Sequence, residues 1–238
     1  MIKTKDGKAI TLKKLLHFTS LFLFILFIIL ASIFTVANSE SFFRHQYEKN
    51  DTGRCTGMSE DDYVKSSNVL MDYMSGKRDD MYVEAEKFGK VEPVFNERET
   101  SHMVDVRALY INAWKAMFIF FGLSLIIAGI LVIREGIGGF LEGHSKAVLP
   151  VAAVYLVFGV VMAGFFIFGF NWFWINFHHV FFPNNDLWLL DPATSTMINM
   201  FPEEFFLAMC SRILIMFVVV TVLVLAGIKV AAKRVKNG

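Results

Sequence analysis

Apolar and polar positions fall into long blocks along this 238-residue chain. Leu15 to Ser39 carries no Asp, Glu, Lys or Arg, and neither do Ala116 to Ile133, Ala147 to Phe177 and Ile213 to Ile228. A bilayer span needs about 20 mainly apolar residues. Backbone polar groups inside lipid must satisfy one another, so each block reads as a helix. The last block reaches span length if Phe205 to Met209 joins it and Arg212 is tolerated near one end. The first block has a basic start and ends near Thr35-Val36-Ala37, which loosely resembles a signal-peptide cleavage site. Its apolar part is longer than a signal core, so it reads as a retained span.

The polar blocks between the spans carry their own patterns. Ser59-Glu60-Asp61-Asp62 resembles a helix start, and Tyr63, Ser66, Val69, Leu70, Tyr73 and Met74 follow at helical spacing. Gly76 suits the end of that helix. Met81 to Val94 is open between strand and loop. Asn96 with Glu99 three residues later fits a second helix start, and a helix from there runs on into the second span. Arg98, His102, Asp105 and Leu109 then share one stripe. Either the stripe holds a His between a carboxylate and an Arg, with Arg98 and Asp105 setting its ring, or it is a solvated helix end with weak surface ion pairs.

Composition agrees with a membrane protein: 55% of residues are hydrophobic, 26 are Phe and 19% are charged. Soluble domains carry about 25% charged residues. The net charge of +1 offers no polybasic face, so nucleic acid is not expected as a partner. Two cysteines, Cys55 and Cys210, make neither a disulfide framework nor a Cys-rich zinc site.

The placement of Lys and Arg orients the spans. Lys3, Lys5, Lys8, Lys13 and Lys14 precede the first, and Lys229, Lys233, Arg234 and Lys236 close the chain. Residues 171–207 contain no Lys or Arg. Basic residues stay on the cytoplasmic side. The expected order is a cytoplasmic N-terminus (1–14), a first span (15–38), an extracytoplasmic cap (39–112) and a second span (113–133). A cytoplasmic loop (134–146), a third span (147–170) and an extracytoplasmic loop (171–207) follow. A fourth span (208–230) and a cytoplasmic tail (231–238) complete it. The expected fold class is an all-α membrane protein of four transmembrane helices, with the cap between helices 1 and 2. Trp114, Trp172, Trp174 and Trp188 all fall on the outer side, where Trp prefers headgroup level.

The chemistry concentrates in the two outer blocks. His178 and His179 sit in an aromatic run from Trp172 to Phe182. Ionisable groups at membrane depth are costly and therefore functional candidates, and His exchanges protons near neutral pH. The alternative is an interfacial ring bonded to a carbonyl. His17 and His144 read as interfacial side chains on the inner side. His45 lies in no motif. Arg212 either snorkels or faces an anionic headgroup. The chain has no G-x-S-x-G, S-x-x-K, H-E-x-x-H or P-loop. Neighbouring His178 and His179 point in different directions, so no metal is expected. An enzyme of this kind would use His as base and take its nucleophile from water or substrate.

Phe95-Asn96-Glu97-Arg98-Glu99-Thr100-Ser101-His102-Met103-Val104-Asp105-Val106 resembles the central motif of the lipoprotein intramolecular transacylase (Lit) family. Phe177-His178-His179-Val180-Phe181-Phe182, with Trp188-Leu189-Leu190-Asp191-Pro192 and Phe201 to Phe206, is similar to its second motif. The resemblance implies an acyltransferase of the plasma membrane of Gram-positive bacteria, working at the outer leaflet without a cofactor. Its partners would be membrane lipid and a lipoprotein with a diacylglyceryl thioether on its N-terminal Cys. It would move the sn-2 acyl chain to the α-amino group of that Cys, giving the lyso form. On motif position His102 and His178 would be catalytic. Arg98, Asp105, Glu97, Glu99, Arg107, His179 and Trp188 would support them or bind substrate. Two other classes stay open on the residues alone: a membrane ester hydrolase using the same histidines, and a non-enzymatic four-span sensor or binding protein.

Overall fold

The computed structural model describes the backbone of residues 5–237 and the side chains of residues 11–237. Of the basic N-terminal cluster, Lys3 and the side chains of Lys5 and Lys8 lie outside the described residues. The elements in chain order are α1 (Lys5–Ala37), α2 (Glu40–Lys49), α3 (Thr52–Thr56), α4 (Glu60–Met74), β1 (Glu84–Lys87), β2 (Lys90–Pro93), α5 (Glu97–Phe168), α6 (Phe170–Phe181), α7 (Thr196–Met200) and α8 (Glu203–Asn237). The chain is mostly helical, as expected. The one departure among the described residues is the antiparallel hairpin β1–β2, which pairs Glu84 with Pro93 and Lys87 with Lys90. It occupies the segment whose pattern was open between strand and loop.

Among the described residues three helices are long and apolar enough to cross a membrane: Thr11–Ala37, Glu97–Phe168 and Glu203–Asn237. The expected second and third spans thus lie in one 72-residue helix, interrupted where Gly136 leaves helical geometry (φ 66°, ψ 171°). A positive φ is costly for any residue with a Cβ, which suits Gly136 to the break. The segment 134–146, expected as a loop, is otherwise helical. Glu142 and Lys146, one turn apart at 2.5 Å, support it there. A second interruption at Gly169 separates α5 from α6.

Contacts divide the described residues into two units: those up to 33, 115–163 and those from 213 on, and residues 34–114 and 164–212. The first unit holds the apolar helical runs. Its core packs Leu21, Ile25 and Ile28 of α1 with Val148, Val151 and Tyr155 of α5 and Phe217 and Leu225 of α8. Ser20 Oγ donates to the Ser124 carbonyl (3.1 Å) and Ser124 Oγ to the Ser20 carbonyl (2.9 Å). Small polar residues bonding reciprocally across helices are a usual device where lipid removes the hydrophobic drive. Ile119, Ile126, Ile133, Leu156, Val160 and Leu223 remain largely exposed. Such a run on a soluble protein would expose far more apolar surface than is usual; in lipid it is the expected outer face.

The second unit holds α2, α3, α4, the hairpin, α6 and α7. Ser59 caps α4 by accepting from the Asp62 N–H, and Gly76 follows its end at φ 78°. The buried side of α4 presents Tyr63, Ser66, Leu70, Tyr73 and Met74 of the face read from spacing, together with Val64 and Ser67, while Val69 is half-buried. Tyr63 packs against Phe43 and Phe201, and Phe43 stacks on Phe205 (5.7 Å). This aromatic core joins α2 and α4 to the stretch around α7, and it frames the elements that carry the candidate residues.

Candidate active site

The first turns of α5 are built by their cap. Asn96 Oδ1 accepts from the Glu99 N–H (3.0 Å), while Glu99 Oε2 accepts from the Asn96 N–H (2.6 Å). This reciprocal box satisfies helix-start donors that would otherwise lack partners. Glu99 does more: its Oε1 accepts from Ser195 Oγ (2.5 Å) and from the Met197 N–H (2.7 Å). The side chain is 0% exposed. A buried carboxylate is tolerable only with such a full set of donors. Glu99 thereby ties the start of α5 to the N-terminus of α7, whose cap is Ser195.

One turn along α5, ahead of its long apolar run, lies His102. It is buried, and its ring centroid is 6.1 Å from that of His178, on the last turn of α6. Phe182 closes one side at 5.2 Å, edge to face. His102 Nδ1 is buried and makes no hydrogen bond. Burial disfavours the charged ring and lowers the His102 pKa to about 4; His178 and Arg98 push the same way and Asp105 opposes them.

His178 is equally buried. Its Nδ1 lies 2.8 Å from the Trp174 carbonyl oxygen. A carbonyl only accepts, so Nδ1 carries the proton and the neutral ring has its lone pair on Nε2. Burial lowers the pKa of His178, partly offset by the Trp174 carbonyl. Trp188 stacks on the ring at 4.8 Å and 24°, and Trp174 meets it edge-on at 4.7 Å. The Trp188 Nε1–H is buried without an acceptor. Two neutral imidazoles thus sit close together in an aromatic enclosure that leaves polar atoms unsatisfied. Such a place can take up and return protons.

The remaining candidates divide. His179 is exposed and only meets Trp188 edge-on at 5.1 Å. Arg98 donates to the Asp186 carbonyl, and Asp105 accepts from Asn185 Nδ2 (2.9 Å). The expectation that these two hold the His102 ring is corrected on this point: no hydrogen bond joins either to it. They grip residues 185–186 instead and act on His102 only through their charge. Arg107 lies over the Tyr73 ring at 4.5 Å, bracing α4. Glu97 is exposed. Sequence reasoning missed Asn185, Asp186 and Ser195, and named Phe182 only as part of the aromatic run. Only Ser195, as a helix cap, left a local signal. Among the described residues no cluster of three or more His, Cys, Asp or Glu side chains is placed to hold a metal.

The family model for lipoprotein intramolecular transacylase Lit matches residues 18–206. No curated protein sequence matches the chain. The fold is that of the membrane-integral lipoprotein intramolecular transacylase Lit from Bacillus cereus, solved in meso. The TM-score is 0.77 at 18% identity, over 96% of this chain and 99% of that one. A variant of the same protein with a histidine replaced by alanine aligns at TM-score 0.69 and 19% identity, over 98% of both chains.

Proposed function

The chain belongs to the lipoprotein intramolecular transacylase family, and from that premise we propose that it moves the sn-2 acyl chain of a diacylglyceryl-Cys lipoprotein to the α-amino group of the same Cys. The observation that carries this reading is the pair of buried imidazoles, His102 and His178, both held toward the neutral form. The reaction is aminolysis of an ester within one molecule. Donor and acceptor arrive tethered, so much of the proximity contribution comes with the substrate. A nitrogen–carbon bond forms and the glycerol carbon–oxygen ester bond opens at the acyl carbon. Two protons must leave the α-ammonium, whose pKa is near 8. His102 takes the first and frees the amine to attack. His178 Nε2 takes the second from the tetrahedral adduct and hands it to the departing glycerol oxygen. No enzyme nucleophile is needed.

In this reading both termini face the cytoplasm of a bacterial plasma membrane. The break at Gly136 turns α5 into two spans, giving four in all. The polar unit forms an extracytoplasmic cap, and the histidines lie at the outer leaflet beside the aromatics of α6. Topology reporters fused after Ser75 and after Asp191 should read extracytoplasmic, and one at Gly139 cytoplasmic. A cytoplasmic reading after Ser75 overturns the orientation.

The chemistry is tested by mass spectrometry of a lipoprotein N-terminus after expression in a host lacking this activity. One acyl chain should shift from glycerol to nitrogen at constant total mass. Loss of a chain would indicate an ester hydrolase, and an unchanged lipoprotein a non-enzymatic protein. Either outcome overturns the proposal.

A further inference from the structure

A second buried histidine pair lies in the unit of apolar helices. His17 of α1 and His144 of α5 are 3% and 4% exposed, and their Nδ1 atoms are 2.9 Å apart. His17 Nε2 lies 3.3 Å from Glu135 Oε2, yet makes no hydrogen bond. The His17 ring presses against Gly143 so closely that any Cβ there would collide with it. Beside the pair is a cavity of about 600 Å³ lined by residues of α1 and α5.

Its lining is amphipathic. Lys13, Lys14 and Lys146 supply cations, while Phe18, Ala147 and Pro150 supply apolar surface. Lys13 pairs with Glu135 (2.9 Å) and Lys146 with Glu142 (2.5 Å). Lys14 has no carboxylate within ion-pair distance among the described residues. The cavity therefore presents Lys14, a cation without a carboxylate partner among the described residues, beside the His17 ring and next to an apolar wall. Basic cavities between membrane helices at the basic end of a chain match the anionic headgroups of that leaflet.

We propose that this cavity binds the phosphodiester headgroup of an anionic phospholipid. The phosphate oxygens meet Lys14, and the glycerol and first methylenes lie on Phe18 and Pro150. The site is separate from the His102–His178 chemistry and its test does not use acyl transfer.

The experiment is native mass spectrometry of the full chain released from nanodiscs of equal parts phosphatidylglycerol and phosphatidylcholine. The expected result is one retained phosphatidylglycerol, favoured at least tenfold over phosphatidylcholine. Lys14→Gln, which breaks no ion pair among the described residues, should lower that occupancy about fivefold, the usual worth of one basic residue at a lipid surface. Retained phosphatidylcholine should not change. Inorganic phosphate at millimolar concentration should not displace the lipid. Equal occupancy by the two lipids, or an unaltered Lys14→Gln, would overturn the proposal. Full displacement by phosphate would overturn the lipid as occupant and leave a free-anion site.

Discussion

Two buried histidine pairs, one in each unit, use the same side chain in opposite ways. His17 and His144 bond to each other at 2.9 Å, with Glu135 and Lys13 in train. Their arrangement spends imidazole polarity on joining α1 to α5. His102 and His178 stay 6.1 Å apart, centroid to centroid, and do not bond to each other. One has a buried nitrogen with nothing to bind, and the other anchors one nitrogen on a carbonyl and leaves its second free of that bond. Leaving a buried polar atom unpaired costs about 1–3 kcal/mol. A substrate arriving between the rings would recover that cost, whereas the joined pair has less to gain. Burial alone therefore does not separate the two pairs, and neither does an unsatisfied ring nitrogen, since His17 Nε2 is also buried without a hydrogen bond; His102 and His178 differ in not bonding to each other and in sharing an aromatic enclosure.

This contrast is broken most directly by removing the rings. His102→Gln and His178→Gln should each lower acyl transfer about 10²–10⁴-fold, the usual contribution of general acid–base catalysis. The matching change at the joined pair, His144→Gln, should alter stability and leave transfer per folded molecule within a fewfold. N-terminal mass spectrometry beside membrane protein levels reads both. A fully active His102→Gln variant ends the proposed mechanism.

The brace comes next in size. Glu99→Gln keeps the shape but turns an amide N–H toward one of the donors that Glu99 now accepts. A hydrogen bond to a charged group is worth about 1.5–3 kcal/mol, so thermal stability should fall and transfer with it. Unchanged melting and full activity would show that α5 and α7 are held by other contacts. Gly143→Ala is the corresponding probe of the other pair. Overpacking its Cβ against His17 should cost about 1–3 kcal/mol of stability, without a change in pH profile.

The pH profile sharpens the same comparison. Both His102 and His178 have lowered pKa values, so both stay neutral below the usual imidazole value near 6.5. The enzyme's own acid-side loss should therefore appear below pH 6.5, apart from a substrate limb near pH 8 from the α-ammonium. A limb that moves in His178→Gln and sits above 6.5 would contradict the neutral pair. Smallest of all should be His179→Gln. This ring is exposed and only touches the edge of Trp188, so transfer should stay within about threefold. An inactive His179→Gln beside an active His178→Gln would exchange their roles.

Much of the architecture was legible because lipid imposes a coarse rule. Charge-free runs near span length, Ser59 and Asn96 as helix starts and Gly76 after a helix end all depend on neighbours a few residues away. The local structure of segment 134–146 was not legible for the same reason. Its charges suggest a loop, while the Glu142–Lys146 pair and a break confined to Gly136 keep it helical. In the site, the stripe Arg98–His102–Asp105 was correctly placed on one helix, but its partners were not. Asn185 and Asp186 meet it from 80 and 88 positions away in sequence, through packing that no local spacing encodes.

The sequence by itself determined that this is an apolar, helical membrane chain with its candidate histidines in two polar blocks. Hydropathy, cap residues and charge placement act locally and add along the chain. Only the tertiary structure decided which histidines face one another, that Glu99 is a buried clasp rather than a surface charge, and that His17 and His144 are interior. Those outcomes depend on distant segments meeting and expelling water, and it is desolvation, a property of the packed whole, that moves a histidine's proton affinity.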